Sequence, residues 1–168
     1  VPILKRISFL MLVAFYNLLR VGEYTTPEFA VFNDKRVPMT ITRQFVVGNV
    51  GFFKEGRILK SDAPHAVLHS VNLAELKITN QKNGRIGQTI TQHATAAHAC
   101  PVKALAHIVH NIVYAGGNDE SLLCSVHTGE TWRDVDAASV VSMVRHTANS
   151  LNLREQAIDP DLIGAHSL

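Results

Sequence analysis

A chain of 168 residues, 46% hydrophobic and 18% charged, is long enough to bury one core and too apolar to be disordered. A net charge of +2 and an isoelectric point near 8.7 neither require nor exclude a nucleic-acid partner, because phosphate contacts need a local basic face and not a basic whole. The two cysteines, Cys100 and Cys124, have no CxxC spacing and no pattern of an activated nucleophile, so they read as buried structural thiols in a reducing compartment and not as a disulfide scaffold.

The first predicted element is a helix over residues 2–20. Pro2 suits an early helical position. Ile3, Ile7, Leu10, Met11, Ala14 and Leu18 recur at helical spacing, and Phe9, Leu12, Val13 and Phe15 widen the stripe nearly all round, as expected of a central helix. The apolar run over 7–19 imitates a membrane span, but it is shorter than the roughly 20 residues a bilayer requires and is interrupted by Asn17. Gly22 and Pro27 end the helix. Residues 29–92 then turn β-rich, with strands predicted over 44–47, 73–79 and 88–92 and an exposed loop over 54–64. The last two strands flank Gln81-Lys82-Asn83-Gly84-Arg85, a hairpin around 80–87 with Lys82 at its tip and Lys77 on the entering strand. Helices follow over 101–115, with Pro101 in the first turn and Gly116-Gly117 after the last, over 136–151, and over 160–168. No repeat or low-complexity tract divides the chain. The expectation is one domain over 1–168, mainly α with a small antiparallel β-sheet (α+β).

Three groups carry the candidate chemistry. Arg20, in Leu18-Leu19-Arg20-Val21-Gly22-Glu23, closes an apolar helix, where a cation is costly unless something anionic needs it. The plain alternative is an arginine that favours the helix dipole and pairs with Glu23. His166 stands in Gly164-Ala165-His166-Ser167-Leu168, and the lysine-tipped hairpin lies between the two.

In this order the three resemble tyrosine recombinases of the phage-integrase type, whose closing motif reads His-x-Leu-Arg. Cys100-Pro101-Val102-Lys103-Ala104-Leu105, followed by a helix, a Gly loop and Ser121-Leu122-Leu123, looks like the Crypton and DIRS-type mobile-element branch. The resemblance spans nearly all of the chain. It implies a tyrosine-recombinase catalytic-domain fold, C-terminally incomplete, and site-specific DNA recombination or integration by strand cleavage and rejoining through a phosphotyrosyl intermediate. Carried over by motif, Arg20 resembles the first catalytic arginine and Glu23 the acidic residue that orients it. Lys82 resembles the hairpin general acid, with Lys77 as its competitor, and His166 resembles the histidine of the closing motif. The implied partners are double-stranded DNA and further copies of the chain in a multimer, with no membrane and no cofactor. The implied location is inside the cell with DNA, in a nucleus or a nucleoid.

Such chemistry suits these residue types. The pentacoordinate phosphorus carries excess negative charge, which a planar guanidinium meets with two parallel hydrogen bonds. A hairpin lysine can protonate the departing 5′ oxygen, and a histidine can assist proton transfer or hold a phosphate oxygen. The sequence also departs from the family. The second arginine would follow Leu168, and the downstream His or Trp and the tyrosine nucleophile are absent. Tyr16, Tyr24 and Tyr114 precede His166 and read as packing or surface residues. The parent protein is therefore expected to be an enzyme, and these residues alone are expected not to cleave DNA. Alternatives are a recombinase-derived domain that only binds DNA or a protein, a type IB topoisomerase, and an unrelated helical structural domain.

Nine histidines invite a metal reading. His107 and His110 are helix neighbours, and His65/His69 and His93/His98 are near pairs, but no Cys or carboxylate completes a zinc set, so no metal site is expected. Gly84-Arg85-Ile86-Gly87 lacks the strand-to-helix context of a phosphate loop. Lys35, Arg36, Arg43, Lys54, Arg57 and Lys60 read as a solvated face or as DNA-backbone contacts.

Overall fold

A computed structural model describes residues 2–27, 29–32, 35–38, 44–79 and 87–164; of residues 29–32 and 36–38 only the backbone is described. Helix α1 (Ile3–Asn17) buries Ile7, Leu10, Val13 and Ala14. It packs on helix α4 (Pro101–Tyr114), whose Val102, Ala106, Ile108, Val109 and Ile112 are fully buried. Both helices bury a wide stripe because their apolar residues recur at i, i+3, i+4 and i+7. Burial of such side chains contributes about 1.5–3 kcal/mol each.

α1 ends earlier than its apolar pattern predicts. Asn17 turns its side-chain amide onto the Val13 carbonyl at 2.7 Å. Leu18 then adopts the left-handed conformation (φ 52°), and Leu19 N–H closes on the Ala14 carbonyl at 2.9 Å. A left-handed leucine is unfavourable, and Leu18 is itself exposed; the local closing bonds to Phe15 and Ala14 and the burial of Leu19 offset its cost. The expected helix over 2–20 is therefore α1, a turn through residues 18–20, and the single turn α2 (Val21–Tyr24).

Against the helices lies a four-stranded antiparallel sheet of β3 (Val50–Lys54), β4 (Arg57–Leu59), β5 (Leu73–Lys77) and β6 (Thr89–His93), in the order β4-β3-β5-β6. Phe52 faces Ala74 across β3–β5, and these two with Leu76 are the buried side chains of the sheet. Ala74 and Leu76 meet Val102 and Leu105 of α4 around a small void. The β5–β6 ladder runs from Leu73 opposite His93 to Lys77 opposite Thr89. It continues through Ile78, whose N–H bonds the Gln88 carbonyl at 2.7 Å and whose carbonyl accepts Gly87 N–H at 2.9 Å.

Two further two-stranded ribbons pair β1 (Phe29–Phe32) with β2 (Lys35–Pro38), and β7 (Ser125–His127) with β8 (Trp132–Asp134). A short helix, α3 (His65–His69), packs on α4. Helix α5 (Ala137–Ser150) starts at Asp136, whose carboxylate accepts Ser139 N–H at 2.7 Å. Among the described residues no helix is long and apolar enough to cross a membrane.

The architecture is mixed α/β. Three local expectations change. The strand over 44–47 is an isolated bridge at Val46, opposite Leu122, followed by a 3₁₀ turn (Val47–Asn49), because the Asn49 side chain takes Val46 N–H at 2.9 Å. The loop over 54–64 contains β4, reached through Glu55 and Gly56 at φ 51° and 76°, the backbone of a two-residue hairpin turn. In place of a final helix over 160–168 stands a 3₁₀ turn, Pro160–Leu162, while residues 165–168 lie outside the described residues.

Candidate functional site

The turn between α1 and α2 places Arg20. Its backbone N–H donates to Glu23 Oε2 at 2.8 Å, and its carbonyl accepts Glu23 N–H, also at 2.8 Å. Glu23 is only 4% exposed, whereas Arg20 is exposed. The carboxylate therefore binds the backbone of Arg20, and among the described residues the guanidinium has no ion pair. The ion pair that the plain reading of this segment expects is not formed.

Several bonds hold this corner. Gln44 Nε2 donates to the Gly22 carbonyl at 3.1 Å, Thr25 Oγ1 to the Val21 carbonyl at 2.7 Å, and Thr26 N–H to the Val135 carbonyl at 2.9 Å, just before α5. From the sheet side, Gln92 Nε2 on β6 donates to the Tyr16 carbonyl at 2.9 Å. The hairpin opened by β5 and β6 is thus tied to the last turn of α1, four residues before Arg20. Lys77 is exposed at the end of β5, opposite Thr89. Arg145 Nε of α5 donates to the Ile163 carbonyl at 2.8 Å.

Of the residues singled out by sequence, the structure joins Arg20 to Glu23, while Lys77 lies at the turn end of β5 and the tie from β6 to α1 is made at Gln92, opposite Ala74. Lys82 and His166 lie outside the described residues. Tyr24 is buried, which pushes its hydroxyl pKa up, while Tyr16 and Tyr114 are exposed. No family model, curated protein or solved structure matches the chain.

Sequence reasoning missed two features. Arg6 is 2% exposed, and among the described residues its Nε and Nη1 have no hydrogen-bond partner. Its signal was legible, since Arg6, Leu10, Val13 and Asn17 form one ridge of α1 and all four are buried. Arg6 lines a cavity of about 330 Å³ with Asn111, Tyr114 and His127. Burial lowers its pKa to about 10, against an opposing pull from Cys124.

The second missed feature is a histidine cluster. α3 carries His65 and His69 at i, i+4, and α4 carries His107 and His110 at i, i+3, so each pair shares a helix face. Because α3 packs on α4, potential ligand nitrogens of His65, His69 and His107 all lie within 4.8 Å of one another. Ring centroids are 4.0 Å apart for His65–His69, 3.9 Å for His69–His107 and 4.7 Å for His65–His110. Phe9 stacks on His107 at 4.9 Å. The sequence treats these histidines as separate near pairs, and only the helix contact unites them.

Both cysteines are free and buried, as expected. Burial and the charge of Asp134 push the Cys124 thiol up to about 12. Burial also pushes Cys100 up, but backbone N–H donors from Thr95, Lys103 and Val102 outweigh it and the net shift is downward.

Proposed function

We propose that the chain forms the phosphate-binding part of a tyrosine-recombinase-type catalytic domain, acting on double-stranded DNA within a multimer. One observation carries this reading. Arg20 presents an exposed guanidinium without an ion pair among the described residues, while buried Glu23 fixes the backbone beneath it. The bond from Gln92 on β6 to the Tyr16 carbonyl, which ties the β5–β6 pair to the end of α1, supports it.

In the reaction proposed, a tyrosine hydroxyl gives up its proton, to His166 or to solvent, as its oxygen attacks the scissile phosphorus and the bond to the 5′ oxygen breaks. Arg20 donates two parallel hydrogen bonds to the non-bridging oxygens, where charge accumulates. Lys82, or Lys77, delivers the proton that the departing 5′ oxygen requires, and His166 holds a phosphate oxygen or assists proton transfer. None of Tyr16, Tyr24 and Tyr114 is assigned as the nucleophile. These residues thus supply the charge-stabilising half of the site, and Glu23 acts as a positioning residue.

The test is duplex binding by fluorescence anisotropy between about 50 and 200 mM salt. Arg20→Ala is expected to weaken binding about tenfold and to lower the salt slope by about one. Arg154→Ala, whose guanidinium is engaged by Asp159 and Asp161, serves as the control and leaves binding unchanged. Equal effects of the two substitutions would sink the proposal.

A further inference from the structure

We propose that His65, His69 and His107 form a binding site for a divalent transition metal of the zinc(II) class, with its fourth position taken by His110 or by solvent. This inference is independent of the DNA reading. It rests on two elements far apart in sequence converging on one spot: potential ligand nitrogens of the three residues lie within 4.8 Å of one another. Tetrahedral zinc at about 2.0–2.1 Å from each nitrogen needs them about 3.3 Å apart, a closure within reach of side-chain rotation.

A second observation points the same way. Among the described residues, His69 Nε2 is buried and has no hydrogen-bond partner. A buried polar nitrogen without a partner is costly, and a metal ion would satisfy it. The ring of His107 is backed by Phe9, which restricts its motion, while His65 is exposed and leaves a path from solvent.

The donor set selects the metal class. Imidazole nitrogens without a thiolate or carboxylate among the three suit zinc, cobalt(II), nickel and copper(II), and do not suit magnesium or calcium, which take oxygen ligands. Lys5 and Lys103 act electrostatically on the cluster, so a cation enters against their charge. Micromolar affinity is therefore expected, and not the tighter binding of a zinc finger. A site with one open position holds a water, which zinc polarises.

The experiment uses the untagged chain, stripped with a chelator and dialysed, titrated with zinc chloride by calorimetry and with cobalt chloride by visible absorption. One equivalent of zinc and an intense four-coordinate cobalt spectrum are expected. His69→Phe and His107→Phe each lower zinc affinity at least tenfold; His65→Ala, at an exposed position with little risk to folding, does the same. His146→Ala, on α5, leaves it unchanged. Circular dichroism confirms that the variants are folded. The proposal is overturned by no saturable zinc binding, by the weak spectrum of six-coordinate cobalt, or by full affinity in folded His65→Ala.

Discussion

The carboxylate of Glu23, 4% exposed, bonds the backbone N–H of Arg20 at 2.8 Å and leaves that residue's guanidinium to solvent. Position and availability are thereby separated: the acid shapes the corner, and the cation is not consumed by it. Removing the acceptor leaves an N–H at the start of α2 without its partner. Glu23→Ala is therefore expected to cost about 1–2 kcal/mol in urea unfolding and to weaken duplex binding. Glu23→Gln retains an acceptor oxygen and recovers most of both. A stability unchanged in Glu23→Ala would show that the bond does not hold the corner.

Gln92 provides the link between sheet and helix. Its amide meets the Tyr16 carbonyl at 2.9 Å, one of the carbonyls that the end of α1 leaves without a helical partner. Gln92→Leu should cost about 0.5–1.5 kcal/mol. It should also speed hydrogen exchange at the Ile78 and Gly87 amides, which close the hairpin ladder. Unaltered exchange at both amides would place the anchor of the hairpin elsewhere.

The histidine cluster sets an acid limit when no metal is present. Burial, with His69, His65, Lys5 and His110 around it, lowers the His107 pKa to about 4. His69 and His110 are lowered too, chiefly by burial. Between pH 6.5 and 4 the unfolded chain binds a proton at His107 that the folded chain does not, so stability falls as the pH falls through that window. With chelator present, the share owed to His107 is about 2 kcal/mol after allowance for its partial exposure. His107→Phe, which keeps an aromatic ring against Phe9, should flatten the decline. An equally steep acid decline in the variant would contradict this.

Arg6 is a cost to the fold. Its pKa, lowered to about 10 by burial, means that below pH 10 the folded state carries a charge it solvates poorly. The unfolded chain binds the proton more tightly, so the penalty is complete below about 10 and recedes as the pH rises above it. Arg6→Met should therefore stabilise the protein at pH 7 in phosphate-free buffer by about 1–3 kcal/mol, seen as a higher urea midpoint. A lower midpoint would mean that the guanidinium has a favourable partner.

Much of this arrangement was legible in the residues. The stripes of α1, α4 and α5 are repeated at helical spacing over at least three turns, and their positions follow from it. Strands β5 and β6 were legible from the alternating segments on either side of an Asn-Gly pair in the sequence. What escaped was short or relational. α3 and β7–β8 are too brief to show a period, and the end of α1 is set by a left-handed Leu18 that apolar patterning runs straight through. The bond from Glu23 to the Arg20 backbone is a property of one turn, which a Leu-Leu-Arg-x-x-Glu spacing suggests without fixing which atoms meet. The histidine cluster could not be read at all, because its members adjoin only once α3 lies on α4. Buried Arg6, by contrast, stands on the same ridge as Leu10 and Val13, so its burial follows from helical spacing.

The proposed convergence of Arg20 and His166 on one phosphate is tested most directly by a double-mutant cycle on duplex affinity, using Arg20→Ala, His166→Ala and the pair. Two groups holding the same phosphate couple, so the double variant should depart from additivity by about 1 kcal/mol or more. Additivity within about 0.5 kcal/mol would mean that the two side chains serve separate surfaces, and the recombinase-type site would be refuted.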